Sequence, residues 1–110
     1  MTDAEKLAML KSLLGVGASD TSQDELFNAY LNIAEQEIIN WMYINFADIP
    51  TGATMPEKYE ITQVNAVVAG YNIQGGENEY KHVENGITRE FHYSDMVDYI
   101  RAHVYQKVRI

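Results

Sequence analysis

Residues 22–45 read SQDELFNAYLNIAEQEIINWMYIN, and this stretch decides the fold. Apolar residues recur at Leu26, Tyr30 and Ile33, and beside them at Phe27, Leu31, Ala34, Ile38, Trp41 and Met42. Spacings of three, four and seven are the repeat of an α-helix. Ser22 followed three residues on by Glu25 predicts a capping box, with the helix running to about Asn45. The apolar face is wider than one contact requires, so the helix should touch more than one neighbour.

Helical spacing continues on both sides. Leu7, Leu10 and Leu14, with Met9 and Leu13 beside them, predict a first helix over residues 3–14. Asp3 and Glu5 in its first turn and Lys11 near its end suit the helix dipole, and Gly15 and Gly17 end it. After a turn at residues 48–52, Pro56 is expected to open a third helix at its first position. Tyr59, Val64, Val67, Val68 and Tyr71 line that helix, while Ala66, Ala69 and Gly70 leave room for a close approach. Gly75-Gly76 stops it. Ser94 is expected to cap a short last helix ending near His103, with Met96, Val97, Ile100 and Val104 facing inward.

Between the third and last helices the period changes. Asn85-Gly86 favours a type I′ turn and predicts a hairpin over about residues 79–93. This register sets Tyr80 opposite Phe91, Lys81 opposite Glu90 and His82 opposite Arg89. Neither face is continuously apolar, so the ribbon should project from the helical body. Residues 105–110 alternate and are β-prone. The expected fold is mainly α: one domain over residues 1–110, three helices plus a short C-terminal helix, with a projecting β-hairpin between helices three and four.

Composition narrows the function classes. The chain has 110 residues, 46% of them hydrophobic, and no cysteine, which removes disulfides, thiolate catalysis and cysteine zinc sites. Its formal charge of −8 disfavours grip on a phosphate backbone. The start lacks a signal-peptide pattern, and the densest apolar stretch, residues 38–46, is broken by Asn40 and Asn45. A cytoplasmic chain at synthesis is expected, with no membrane partner.

Catalytic patterns are weak. His82, His92 and Asp95 can be drawn as a metal site, but the hairpin register points the two imidazoles to opposite faces. Glu35 and Glu37 diverge on their helix, Asp24 and Glu25 belong to a helix start, and no serine sits in a nucleophile elbow. No phosphate-binding glycine loop is present. The expectation is no enzyme, no metal and no cofactor. Aromatic residues are in excess. Tyr30, Trp41, Tyr59 and Tyr71 read as core, and Tyr80, Tyr93, Tyr99 and Tyr105 as interface.

The order of these segments resembles the head–tail connector (adaptor) proteins of long-tailed bacteriophages, often labelled phage DNA-packaging proteins. Asp24-Glu25-Leu26 through Ala34-Glu35-Gln36-Glu37-Ile38-Ile39-Asn40-Trp41 is similar to the family's first long helix. Pro56-Glu57-Lys58-Tyr59 through Val67-Val68-Ala69-Gly70-Tyr71-Asn72 is similar to its second. Gly76-Glu77, Glu84-Asn85-Gly86-Ile87 and Phe91-His92-Tyr93-Ser94-Asp95 resemble the loop and strand before its last helix. The resemblance implies a virion protein at the head–tail junction, assembled in the host bacterial cytoplasm. It implies a homo-oligomeric ring of about twelve subunits below the portal protein, joined to stopper or tail-completion proteins. DNA would pass through the channel without sequence-specific binding. On this reading Tyr80, Lys81, Glu84, Arg89, Glu90 and Phe91 meet a neighbouring subunit, the portal or the lumen. Tyr105, Lys107, Arg109 and Ile110 dock on the portal or the next subunit.

Two rival readings stand beside it. One is an acidic inhibitor that mimics DNA in the groove of a host DNA-binding protein. The other, weaker, is a metal-dependent hydrolase built on His82, His92 and Asp95.

Overall fold

The computed structural model describes residues 1–72 and 91–107, with four α-helices and no strand among them. The expected hairpin therefore lies outside the described residues except for its last three positions. Of those, Phe91 and His92 have no regular structure and Tyr93 already belongs to a helix, a departure from the expected strand.

Helix α1 spans Asp3–Leu14. Thr2 caps it: its Oγ1 accepts from the Glu5 N–H at 3.1 Å, and Glu5 Oε1 accepts from the Thr2 N–H at 2.7 Å. That reciprocal pair was not anticipated from the sequence. The chain leaves the helix at Gly15, whose φ of 75° is left-handed and free of Cβ strain only for glycine.

Helix α2 spans Asp24–Met42 and corrects two expectations. Its N-cap is Gln23, with no side-chain bond. The capping box expected at Ser22 does not form because Asp20 captures that residue: its Oδ1 accepts from the Ser22 hydroxyl at 2.7 Å and from the Ser22 N–H at 3.0 Å. The helix also stops three residues short of Asn45. The Met42 carbonyl, which a continuing helix would use for Phe46, accepts instead from the Lys107 N–H at 2.7 Å. The Phe46 N–H turns to the Tyr43 carbonyl at 2.9 Å.

Pro56 precedes a 3₁₀ turn, Glu57–Tyr59, which leads into helix α3, Glu60–Asn72. It therefore stands one turn ahead of the α-helix it was expected to open. Helix α4 spans Tyr93–His103, so Ser94 lies within the first turn and is not the cap. His92 sets the start. Its N–H donates to the Gly70 carbonyl at 2.9 Å, and its own carbonyl receives the Asp95 and Met96 N–H groups.

Helix α3 packs against all three others, most extensively against α4. α1 and α4 each pack on α2 and α3 but share no substantial contact, so they form opposite flanks. The core is Leu10, Leu14, Phe27, Leu31, Ala34, Ile38, Val64, Val67, Met96 and Ile100, with Met42, Tyr59 and Val104 at one end. Lys6, Lys11 and Gln63 are the buried polar residues among those described. Lys11 Nζ pairs with Asp24 Oδ1 at 2.6 Å, and Gln63 Nε2 donates to the Leu31 carbonyl at 2.7 Å. α2 touches three neighbours, as its broad apolar face demands.

Candidate functional site

Residues 105–107 do not trail away from the body. Trp41 Nε1–H donates to the Val104 carbonyl at 3.1 Å, Tyr105 N–H to Tyr59 Oη at 3.0 Å, and Lys107 N–H to Met42 at 2.7 Å. Three bonds on four consecutive residues fix the backbone, and buried Val104 anchors it. Yet the Tyr105 side chain is 83% exposed, the most exposed large apolar group among the described residues. A tyrosine projecting from a fixed backbone is ready for an interface, because little backbone freedom remains to be lost on docking.

Cations stand over the aromatic rings that hold this segment and the end of α2. Arg101 lies 5.0 Å from the Trp41 ring centroid, Lys58 5.1 Å from Tyr59, and Lys107 5.9 Å from Tyr43. These are the exposed cations among the described side chains, since Lys6 and Lys11 are buried. Ile44, half exposed, lies beside Trp41 in a depression of about 170 Å³ shared with Glu37, Val97 and Arg101. A basic, aromatic end on a chain of charge −8 is a polar organisation that composition conceals.

The opposite flank is different. α1 and the segment following it enclose a depression of about 260 Å³ walled by Ala4, Leu7, Ala8, Ser12, Val16 and Ala18. Asp24 and Lys11 line it as well. Asp3 and Glu5 flank Ala4 in sequence, and Asp3 lines a second depression with Lys6, Asn28 and Leu31. Glu5 and Asp20 hold their charge: the Thr2 N–H lowers the first carboxyl, and the Ser22 hydroxyl and N–H lower the second.

The other expected site residues fall as follows. Tyr80, Lys81, Glu84, Arg89, Glu90, Arg109 and Ile110 lie outside the described residues. Phe91, expected at an interface, packs within its own chain. Its ring stacks on Tyr30 with centroids 3.9 Å apart and meets Tyr71 at 5.1 Å. Tyr93 is half exposed and donates its hydroxyl to Glu37, a bond that pushes the phenol upward. His92 Nδ1 stands 3.9 Å from Asp95 Oδ2, and His82 lies outside the described residues. Among the described residues no three potential ligands converge on a metal-sized site. Many carboxylates are used internally, in caps, ion pairs and the Tyr93 bond. Leu26 and Ile33 leave an exposed apolar ridge on α2.

Lys58, Arg101, Trp41 and Tyr43 were not singled out as interface residues. Contacts such as Trp41 with Val104 join residues 63 apart, and no local pattern carries them. No described helix is long and apolar enough to cross a membrane.

No curated protein and no solved structure matches the chain. A family model described as phage gp6-like head-tail connector protein matches residues 4–106, which takes in all four helices except Asp3 of α1, and the pinned segment as far as Gln106. With that match extending over nearly the whole sequence, the chain belongs to the phage gp6-like head-tail connector proteins, structural components of the virion at the head–tail junction.

Proposed function

We propose that this chain is one subunit of a closed ring of about twelve that docks below the portal and joins the filled head to stopper or tail-completion proteins. The ring encloses a channel for the genome, and assembly takes place in the host bacterial cytoplasm. Family membership over residues 4–106 carries the reading. Two physical features support it. A head-to-tail ring needs two unlike surfaces per subunit, and the basic aromatic end and the α1 depression are unlike in charge and shape. A subunit of charge −8 repeated round a channel repels phosphate, so DNA slides through without being held.

Tyr80, Lys81, Glu84, Arg89 and Glu90, together with Arg109 and Ile110, complete the proposed contact set with portal, neighbour or lumen. The test is native mass across a concentration series, alone and with portal rings. A discrete species near a dozen subunits, alone or on the portal, is expected. A chain that stays monomeric and ignores the portal refutes the reading. Capture of a host DNA-binding protein in place of virion proteins would instead favour the DNA-mimic alternative.

A further inference from the structure

We propose that Tyr105 of one copy seats in the α1 depression of a second copy, between Ala4, Ala8 and Ser12, with Arg101 and Lys107 facing Asp3 and Glu5 beyond its rim. The closed ring built from this contact rests on the connector reading above, whereas the pairwise contact does not.

The two halves fit in size. The depression holds about 260 Å³, enough for one aromatic ring and too little for a helix, with Ala4, Ala8, Ser12 and Ala18 among its walls beside the larger Leu7, Lys11 and Val16. The projecting group is a single tyrosine, 83% exposed on a backbone fixed by Tyr59, Met42 and Trp41. Buried aromatic anchors of this kind carry most of the energy of small interfaces.

They also fit in charge. Arg101 stands over Trp41, which is bonded to the Val104 carbonyl, Lys58 over Tyr59, which is bonded to the Tyr105 N–H, and Lys107 follows two residues after the tyrosine. The receiving side offers Asp3 and Glu5 in the first turn of α1, and the bond from the Thr2 N–H holds the Glu5 carboxyl below its ordinary value. Lys11, the cation inside the depression, is neutralised by Asp24 at 2.6 Å, so it does not oppose the arriving positive end. A second copy is the chosen occupant because both halves are present on each chain, on opposite flanks of the α2–α3 layer. That is the arrangement of a heterologous contact, which repeats from copy to copy.

Because the chain has no cysteine, engineered thiols report the contact directly. Ser12→Cys on one chain and Gln106→Cys on another, mixed and treated with a short bis-maleimide, should give a heterodimer. Ile61→Cys, exposed on α3, replaces Gln106→Cys in the control. Adding Tyr105→Ala to the Gln106→Cys chain should reduce the heterodimer at least tenfold, with circular dichroism confirming that the variant folds. Tyr105→Phe should keep it. Heterodimer yield equal to that of the Ile61→Cys control, or unchanged by Tyr105→Ala, overturns the contact. If native mass shows a wild-type ring while the cross-link fails, the contact is wrong and the ring reading stands. A cross-link without any higher oligomer supports the contact and counts against the ring.

Discussion

Gly70 and Phe91 offer a test whose sign, and not only its size, depends on the packing described. A methyl group at position 70 would stand 2.5 Å from Phe91 Cε1, 2.8 Å from Cζ and 3.1 Å from Cδ1. Carbon atoms settle near 3.5–4.0 Å, so the ring must move. It is not free to do so, since Tyr30 stacks on it, Tyr71 meets its edge, and the next residue is tied to the Gly70 carbonyl. Overpacking of this kind costs about 1–3 kcal/mol. Against it, replacing a helical glycine with alanine stabilises by about 1 kcal/mol. Gly70→Ala should therefore lower stability by about 1 kcal/mol in the wild type, or roughly 4 °C in Tm for a domain of this size. With Phe91→Ala already in place the clash is gone, and the same substitution should raise stability by about 1 kcal/mol. The coupling between the two sites is then about 2 kcal/mol, read by urea denaturation of the four proteins in the cycle. An equal Gly70→Ala effect in both backgrounds would refute the close approach of Phe91 to α3.

Other substitutions probe the remaining joints. Asp24→Ala strands a lysine whose side chain is only 6% exposed, and should cost about 2–3 kcal/mol, while Lys11→Met with Asp24→Asn should recover most of that in denaturant melts. Trp41→Phe removes one hydrogen bond to Val104 and should cost about 1 kcal/mol in the same assay. The single Trp41 also reports the tail, so deleting residues 105–110 should red-shift its emission as water reaches the ring. Glu5 and Asp20 have folded values below their ordinary ones, so their contribution is complete above about pH 5.5, past the ordinary carboxylate range, and is lost as pH falls through the lowered folded values. Glu5→Gln, which removes the titrating carboxyl and keeps an acceptor for the Thr2 N–H, should flatten the acid limb of the stability–pH curve and leave the curve above about pH 6 parallel to wild type.

The sequence was most informative where one periodic face met one core. Leu10, Leu14, Phe27, Leu31, Ile38, Val64, Val67, Met96 and Ile100 were legible because their three-four spacing reflects burial directly. Helix starts were less legible, since capping is a competition. Ser22 and Ser94 have the chemistry of a cap, but Asp20 captures the first and the His92–Gly70 bond moves the second into its helix. The end of α2 depended on Lys107, which is remote in sequence, so propensity extended the helix too far. The candidate surface was half legible. Tyr105 and Lys107 stood out in an alternating tail, while their partners Arg101, Trp41, Tyr43 and Lys58 lie on three other elements that meet only after folding.

That meeting changes what the charge of −8 means for assembly. Spread evenly, it would make every pair of copies repel at all approaches. Among the described residues the cations are not spread evenly: Lys6 and Lys11 are withdrawn into the body, and Lys58, Arg101 and Lys107 stand over Tyr59, Trp41 and Tyr43. Two copies therefore repel at long range and attract only when those exposed cations meet acidic residues on the other copy. Salt separates the two effects, because repulsion acting beyond about 10 Å is screened at 0.1 M, whereas contact pairs partly shielded from water are screened less. The same asymmetry disfavours side-to-side pairing of like flanks, which would bring acidic surfaces together. A strongly acidic subunit can thus associate in one orientation, with its net charge excluding the others.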